Sequence, residues 1–258
     1  MNRASLQPIA QYPWKNIRLI ATDMDGTLTQ GSKFDSRLLE ILTRLSDVGI
    51  DVLVTTGRSA GWVQAIATYL PIVGAVAENG GLLYWNHDAQ PNLISLGNIE
   101  QHRQQLRRVF GLLQTKFPQL TASSDNRFRL TDWTFEVNNL SPTELEQIDF
   151  VCQSEGYGFT YSTIQCHIKP TYQDKAHGLN KIISQHFPHL KPQEFITVGD
   201  SPNDESLFNQ DEFPLSVGVA NVMEYRDRLK YLPAYVTSKF ESEGFCELAE
   251  LIVSQRKN

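Results

Sequence analysis

Two acids stand one residue apart in Asp23-Met24-Asp25-Gly26-Thr27, directly after the apolar run at 17–22. Carboxylates that close repel, and at the mouth of a buried strand water screens the repulsion poorly. A tight turn, a metal ion and a phosphate group are the candidates that could offset it. Three more polar clusters follow along the chain: Thr55-Thr56-Gly57-Arg58, the single Lys175, and Gly199-Asp200-Ser201-Pro202-Asn203-Asp204.

Together these residue types describe one chemistry. Asp23, Asp200 and Asp204 would gather three acids in one pocket, and buried unpaired charge is expensive. Magnesium resolves the conflict, because it takes oxygen ligands and commonly sits between one or two carboxylates and a substrate phosphate. Lys175 adds a point charge of the sign a phosphate needs. Thr56 offers a hydroxyl beside backbone N–H groups at a helix start, where anions are favoured. An acidic metal site beside a phosphate cradle implies phosphoryl transfer. Taken singly, each cluster has a plainer meaning: a capped turn, a strand end, a solvated helix lysine, a Ser-Pro-Asn turn. Their occurrence in order, each at the end of an element, favours the chemical reading.

The elements that must position these groups can be read from periodicity. The runs at 17–22 and 50–56 are short and β-branched, as buried strands are. Between them Leu38, Ile41, Leu42, Leu45 and Val48 fall at helical spacing, with Asp35 as cap and Gly49 as stop. A second helix over 57–70 ends at Pro71. A third strand runs into the turn at Glu78-Asn79-Gly80-Gly81, and 82–85 reads as its hairpin partner. Strand, helix, strand, helix, strand predicts a parallel sheet covered on both faces. Ligands of such sheets sit at the carboxyl ends of the strands, where Asp23, Thr56 and Glu78-Asn79 fall.

The texture changes after about residue 86. A loop or hairpin at 86–97 leads to an amphipathic helix over 98–117 and a strand-like stretch at 128–137. Ser141, Pro142 and Glu144 have the spacing of a capping box that opens a helix. Strands at 157–162 and 164–170 follow. The first pattern then resumes with a helix from Asp174, a strand at 194–200, a helix from 202, strands at 213–220 and 234–237, and a terminal helix. The expected fold is therefore α/β: a Rossmann-like parallel-sheet core from 1–86 and 172–258, with an inserted α+β domain at 87–171. Residues 1–15 read as an irregular leader.

The ordered set Asp-Met-Asp-Gly-Thr, Thr-Thr-Gly-Arg, Lys175 and Gly-Asp-Ser-Pro-Asn-Asp resembles the haloacid dehalogenase superfamily of aspartate-nucleophile phosphotransferases. Within it the insertion is similar to the large α/β caps of the Cof-type branch, which includes the sucrose- and mannosyl-3-phosphoglycerate phosphatases. The resemblance implies that Asp23 attacks phosphorus and that Asp25 carries the leaving-group proton. It implies magnesium held by Asp23, Asp200 and the backbone carbonyl of Asp25, with Asn203 and Asp204 around that shell. Thr56 would bind a phosphoryl oxygen and Lys175 would balance charge, with Gly57, Arg58 and Asn79 nearby. Gly26 would permit the sharp turn between the two acids. An acid at position 25 favours phosphate esters over halides, and simple hydrolysis over a phosphomutase or another phosphotransferase. A non-catalytic binding protein of the same fold should have lost one of these groups.

In the insertion, Arg127, Arg129, His167 and Lys169 are basic residues on strand-like segments. Period two pairs Arg127 with Arg129 and His167 with Lys169. Each would face solvent by default, and each could grip a sugar or second anion if its sheet face closes over the site. Trp133 and Phe135 are expected in the core of the insertion. His87, His102, His177, His186 and His189 have no metal-ligand spacing and receive no role.

Bulk properties bound the rest. The chain has 258 residues, 41% of them apolar, and a formal net charge of −6. That acidity argues against nucleic acid and anionic membrane as partners, while the small phosphorylated metabolite that the resemblance implies can still be held where a metal or a local basic cluster neutralises it. Cys152, Cys166 and Cys246 are an odd count without metal spacing, so a reducing, cytoplasmic setting is expected. No signal-like or spanning segment is apparent. The oligomeric state is not readable from sequence.

Overall fold

The computed structural model of the chain describes residues 6–85, 92–93, 96–137, 140–162 and 164–256. In chain order the strands and helices of the first stretch are Gln7–Pro8 (β1), Leu19–Thr22 (β2), Ser36–Asp47 (α1), Asp51–Thr55 (β3), Ala60–Tyr69 (α2), Gly74–Ala77 (β4), Leu82–Trp85 (β5) and Asn92–Leu93 (β6). Then come Ile99–Lys116 (α3), Trp133–Glu136 (β7), Pro142–Ser154 (α4), Tyr157–Tyr161 (β8) and Gln165–Pro170 (β9). Lys175–His186 (α5), Phe195–Gly199 (β10), Ser216–Gly218 (β11), Tyr235–Val236 (β12) and Glu241–Arg256 (α6) complete the described chain.

The main sheet has the order β1-β12-β11-β10-β2-β3-β4-β5-β6. Its pairings are parallel up to β4, and β5 and β6 add antiparallel. The alternation of apolar residues explains the two covered faces. On β2, Ile20 joins a cluster with Leu38, Ile41, Val63, Phe245 and Ile252, which come from α1, α2 and α6. Its neighbours Leu19 and Ala21 join Leu179 and Ile182 of α5 on the other face. Burial of one such side chain contributes roughly 2 kcal/mol, so β10, β2, β3 and β4 form a stiff centre. These four adjacent strands are the ones whose carboxyl ends carry the polar clusters.

A second sheet, β7-β9-β8, is wholly antiparallel. One face packs on α3 and α4 through Leu106, Val109, Leu113, Phe135, Ile148, Cys166 and Ile168. Period two then turns Gln165 and His167 of β9 to the opposite face. The capping box at Ser141 and Glu144 is formed, with Ser141 N donating to Glu144 at 2.8 Å and Glu144 N to Ser141 at 3.3 Å. The boundary at 86/87, most of the 86–97 loop and His87 lie outside the described residues.

Three expectations are corrected. The described part of the 1–15 leader is not irregular: β1 pairs with β12, and Trp14 is buried against Tyr12 and Tyr235 with its indole N–H donating to Ile9 O at 2.7 Å. The stretch at 128–137 is strand only at Trp133–Glu136, preceded by a 3-10 turn at Ser124–Phe128. The carboxylate of Glu78 takes the N–H groups of Leu130 and Thr131, so that segment cannot join a ladder. The helix expected from 202 is a 3-10 segment, Pro202–Phe208, because Asp204 folds its carboxylate back onto the preceding loop.

Candidate active site

The site is built at the ends of the four central strands. β2 delivers Asp23, and the chain then turns so that the Met24 carbonyl accepts from the N–H groups of Thr27, Leu28 and Thr29. Met24 itself points into the core. Gly26 makes the turn with φ at +80°, and a Cβ there would stand 2.5 Å from Asp200 Oδ2. Only glycine meets both conditions. β10 delivers Asp200. Its carboxylate accepts from Asn221 Nδ2 at 2.8 Å and from Thr27 Oγ1 at 3.4 Å, and the same Asn221 amide donates to Gly26 O. Nothing in the sequence singles out Asn221.

Lys175 opens α5, whose N-cap Asp174 accepts from His177 N. Its ammonium donates to Asp23 Oδ1 and to Asp204 Oδ1, each at 2.6 Å. Asp204 Oδ2 meanwhile accepts from the backbone N–H groups of Asp200 and Ser201. Asp204 therefore positions Lys175 and the Asp200 loop at once. Ligand oxygens of Asp23, Asp200 and Asp204 lie within 4.8 Å of one another, and all three residues are buried. Burial and the Asp204 charge push Asp23 up to about 7, despite Lys175. Burial and Asp23 push Asp200 the same way. Burial opposes the charge on Lys175, yet Asp204 and Asp23 outweigh it and hold the ammonium above its usual range. Three carboxylates against one ammonium leave an excess of negative charge out of water. A hard divalent cation fits this oxygen donor set.

On the neighbouring strand end, Thr56 is buried and its Oγ1 accepts from Arg58 N at 3.2 Å. Thr55 is buried in the sheet. Arg58 grips Asp25 with two parallel bonds, Nε at 2.8 Å and Nη2 at 2.6 Å, and lies over the Trp62 ring. Expected among the groups around a phosphate, Arg58 in this structure orients the second acid.

The second sheet closes the site from above. Ser162, Ile164, Gln165 and His167 share a cavity of about 10 Å³ with Asp23, Asp25, Thr56, Gly57, Arg58 and Asn203. Such a space holds about one water. Arg129 crosses from this layer and donates from Nη1 to Gly57 O at 2.9 Å. It also pairs with Asp132 and, through Nη2, with Asp125 and Gln165. Asp132 in turn accepts from His167 Nδ1 at 2.8 Å. Burial would raise Asp132, but Arg129 and His167 hold it below its usual range. Burial lowers both His167 and Lys169.

The four basic residues of the insertion thus part company. Arg129, His167 and Lys169 are buried, against the default of solvent exposure. Arg127 is exposed and lies over the Phe128 ring. Period two does not pair it with Arg129, because the intervening residues form a turn. Lys169 donates to Gln173 O and borders a different cleft from His167. The sequence carries no signal for Asp132, which orients His167, and places Glu78 at the strand-end rim without a role. From the end of β4, Glu78 caps α2 at Ala60 N (3.0 Å) and accepts from Thr131 N (2.6 Å) and Thr131 Oγ1 (2.7 Å), joining the two layers.

Comparison with known proteins agrees with this geometry. The family profile of haloacid dehalogenase-like hydrolases matches residues 20–127. A phosphoglycolate phosphatase of Methanococcoides burtonii is 28% identical over 244 residues, 92% of this chain and 97% of its own. Among solved structures, Thermoplasma acidophilum 0175 superposes with a TM-score of 0.73 at 23% identity, covering 93% of this chain and 98% of that one. Sucrose-phosphatase from Synechocystis, solved with sucrose and phosphate, superposes at 0.66 and 16% identity, over 91% and 97%. The chain is thus similar to haloacid dehalogenase-like hydrolases over residues 20–127 and to phosphoglycolate phosphatases over most of its length, and it shares its fold with structures of that kind.

Proposed function

We propose that the protein is a magnesium-dependent phosphatase of a small phosphorylated metabolite, a sugar phosphate or phosphoglycerate-type ester, working through an aspartyl phosphate. The observation that carries this reading is the convergence of Asp23, Asp200 and Asp204 within 4.8 Å around a single Lys175. The phosphoglycolate phosphatase relatives support a small phosphorylated acid or sugar as substrate class.

Magnesium, held by Asp23, Asp200 and the Asp25 carbonyl, would neutralise the excess carboxylate charge and polarise a phosphoryl oxygen. Asp23 attacks phosphorus, forming the aspartyl phosphate as the ester P–O bond breaks. Lys175 favours the ionised form of Asp23 and holds it in place, while Thr56 and the Gly57 backbone hold phosphoryl oxygens. Asp25 gives its proton to the departing alkoxide and then takes one from the water that cleaves the aspartyl phosphate. Asn203 and Asp204 orient the metal-binding loop.

Residues 87–171 act as the cap and the remainder as the catalytic core. A cavity of about 10 Å³ admits no ester, so the cap must lift for substrate to enter. The three cysteines are free and buried, which supports a reducing, cytoplasmic setting. Among the described residues no helix is long and apolar enough to cross a membrane.

The test is phosphate release across a panel of sugar phosphates, phosphoglycerates and phosphoglycolate. Turnover should cease with EDTA and return with magnesium. A rate indifferent to chelation would remove the metal from the proposal.

A further inference from the structure

Of the three acids at the floor of the site, two are held by charge and one is not. Lys175 donates to Asp23 and to Asp204. Asp200 has no such bond among the described residues. Burial and the charges of Asp23 and Asp204 all act against its ionised form, and Lys175 offsets them only in part. Its carboxylate is tethered by two neutral side chains instead. Asn221 Nδ2 donates to Oδ2 at 2.8 Å, and Thr27 Oγ1 to Oδ1 at 3.4 Å. A hydroxyl contact that long is weak, so Asn221 is the main tether.

The Asn221 amide is itself oriented. Its Oδ1 accepts from Glu241 N at 3.0 Å, which turns the nitrogen toward Asp200. The same nitrogen donates to Gly26 O at 3.0 Å. Glu241 opens α6 with φ at +51°, a left-handed conformation that glutamate adopts rarely. Its carboxylate accepts from Gly31 N at 3.1 Å, which helps to hold it there. Strained backbone of this kind persists only where its surroundings fix it, often beside functional sites. The start of α6, the Gly26 turn and the Asp200 loop therefore meet in one side chain.

A neutral donor suits this place. An ammonium or guanidinium would also tether Asp200, but it would cancel charge that a divalent cation needs. An alkyl side chain would leave a buried carboxylate oxygen without its donor, and Asp23 and Asp204 would repel Asp200 unopposed.

We infer that Asn221, oriented by Glu241, is a positioning residue for the metal site. It holds the Asp200 carboxylate against repulsion and steadies the turn that carries the Asp25 carbonyl, and so sets the affinity for magnesium. It acts through those groups and not through the substrate. This rests on the magnesium-dependent reading above.

The experiment reads metal binding without turnover. Metal is stripped with EDTA, the chelator is removed, and melting temperature is followed as magnesium chloride is titrated back. The apparent magnesium constant of Asn221→Ala should be weaker than wild type by about 10- to 100-fold. The magnesium dependence of phosphate release should move by a similar factor. At saturating magnesium, kcat and the KM for the ester should return to within about threefold of wild type. A purely structural loss would lower the metal-free melting temperature and leave the magnesium constant alone. Asn221→Ser, whose hydroxyl is too short to reach both oxygens, should repeat the result and serves if the alanine variant does not fold. An unchanged magnesium constant, or a fall in kcat that saturating magnesium does not restore, would overturn the assignment. A wild type whose melting temperature ignores magnesium and whose turnover ignores EDTA would overturn the metal reading beneath it, and this inference with it.

Discussion

At the floor of the cavity three carboxylates, Asp23, Asp200 and Asp204, face one ammonium, Lys175. At the roof Arg129 pairs with Asp125 and Asp132, Arg103 donates to the backbone carbonyls of Asp132 and Asn126 beside them, and His167 is bound to Asp132. Both regions are largely buried and densely hydrogen-bonded, so burial does not distinguish them. Sign does. The floor is held short of neutrality, which suits it to a cation and the phosphate that the cation accompanies. The roof's Arg129 is already engaged by the carboxylates of Asp125 and Asp132, so the roof reads a substrate chiefly through hydrogen bonds and shape.

The largest effect should come from breaking the floor. Asp23→Asn keeps the shape and the Lys175 contact but removes the nucleophile. Turnover should fall by about 10⁴-fold or more, as it does when other covalent catalysts lose theirs. Phosphate release under saturating substrate measures this, and residual activity within tenfold of wild type would take the nucleophile's role away from Asp23.

The matching break in the roof is Arg129→Gln. It leaves Asp132 and Asp125 without their cation and Gly57 O without its donor. Removing one partner of a buried pair typically costs about 3–5 kcal/mol. Chemical denaturation should show a loss of this order, with KM rising more than kcat falls. A variant as stable as wild type would mean that the roof is not held by charge pairing.

The two regions also differed in how far they could be read beforehand. The floor is written in consecutive residues: Asp23 to Thr27 and Gly199 to Asp204 are each one turn at one strand end, so short spacing carries the geometry. The covering helices and central strands were legible for a similar reason, since Leu38, Ile41, Leu42 and Leu45 repeat at the period of a helix. The roof is assembled across distance. Glu78 reaches Thr131, and Arg129 reaches Gly57, through contacts between layers that no local period encodes. Tertiary capture of the Leu130 and Thr131 N–H groups also ended the strand early, so the alternation that seemed to group Arg127 with Arg129 had no strand to act through. Asn221 and Asp132 had no local signal at all.

A subtler effect tests the charge excess at the floor through pH. In the metal-free protein, burial and Asp204 raise Asp23 from 3.8 to about 7. The unfolded chain releases this proton near the ordinary carboxylate value, while the folded chain keeps it longer. Stability from this group is therefore present below about pH 4 and is lost as pH rises through about 7. Magnesium should reverse the trend, stabilising the protein more at about pH 8 than at about pH 5, by on the order of 2 kcal/mol. Denaturation curves with magnesium and with EDTA at the two pH values would show it. Equal stabilisation at both would contradict the excess of negative charge on which the metal assignment rests.

The smallest effect is expected two residues from one of the larger ones. Arg127 lies on the same segment as Arg129 and has the same charge, but it is exposed and its contact is the face of Phe128, which is itself exposed. Nothing buried depends on it, and an exposed cation–ring contact is weak. Arg127→Gln should leave kcat/KM within about twofold and the melting temperature within about 1 °C of wild type. Because it removes one positive charge from the same turn, it is the control for Arg129→Gln. If the two variants lose activity alike, the long-range field of the cap, not the buried pairing of Arg129 with Asp125 and Asp132, draws the phosphate in. If only Arg129 matters, the cap's charges work by position and are spent on one another, which leaves recognition to neutral groups such as His167.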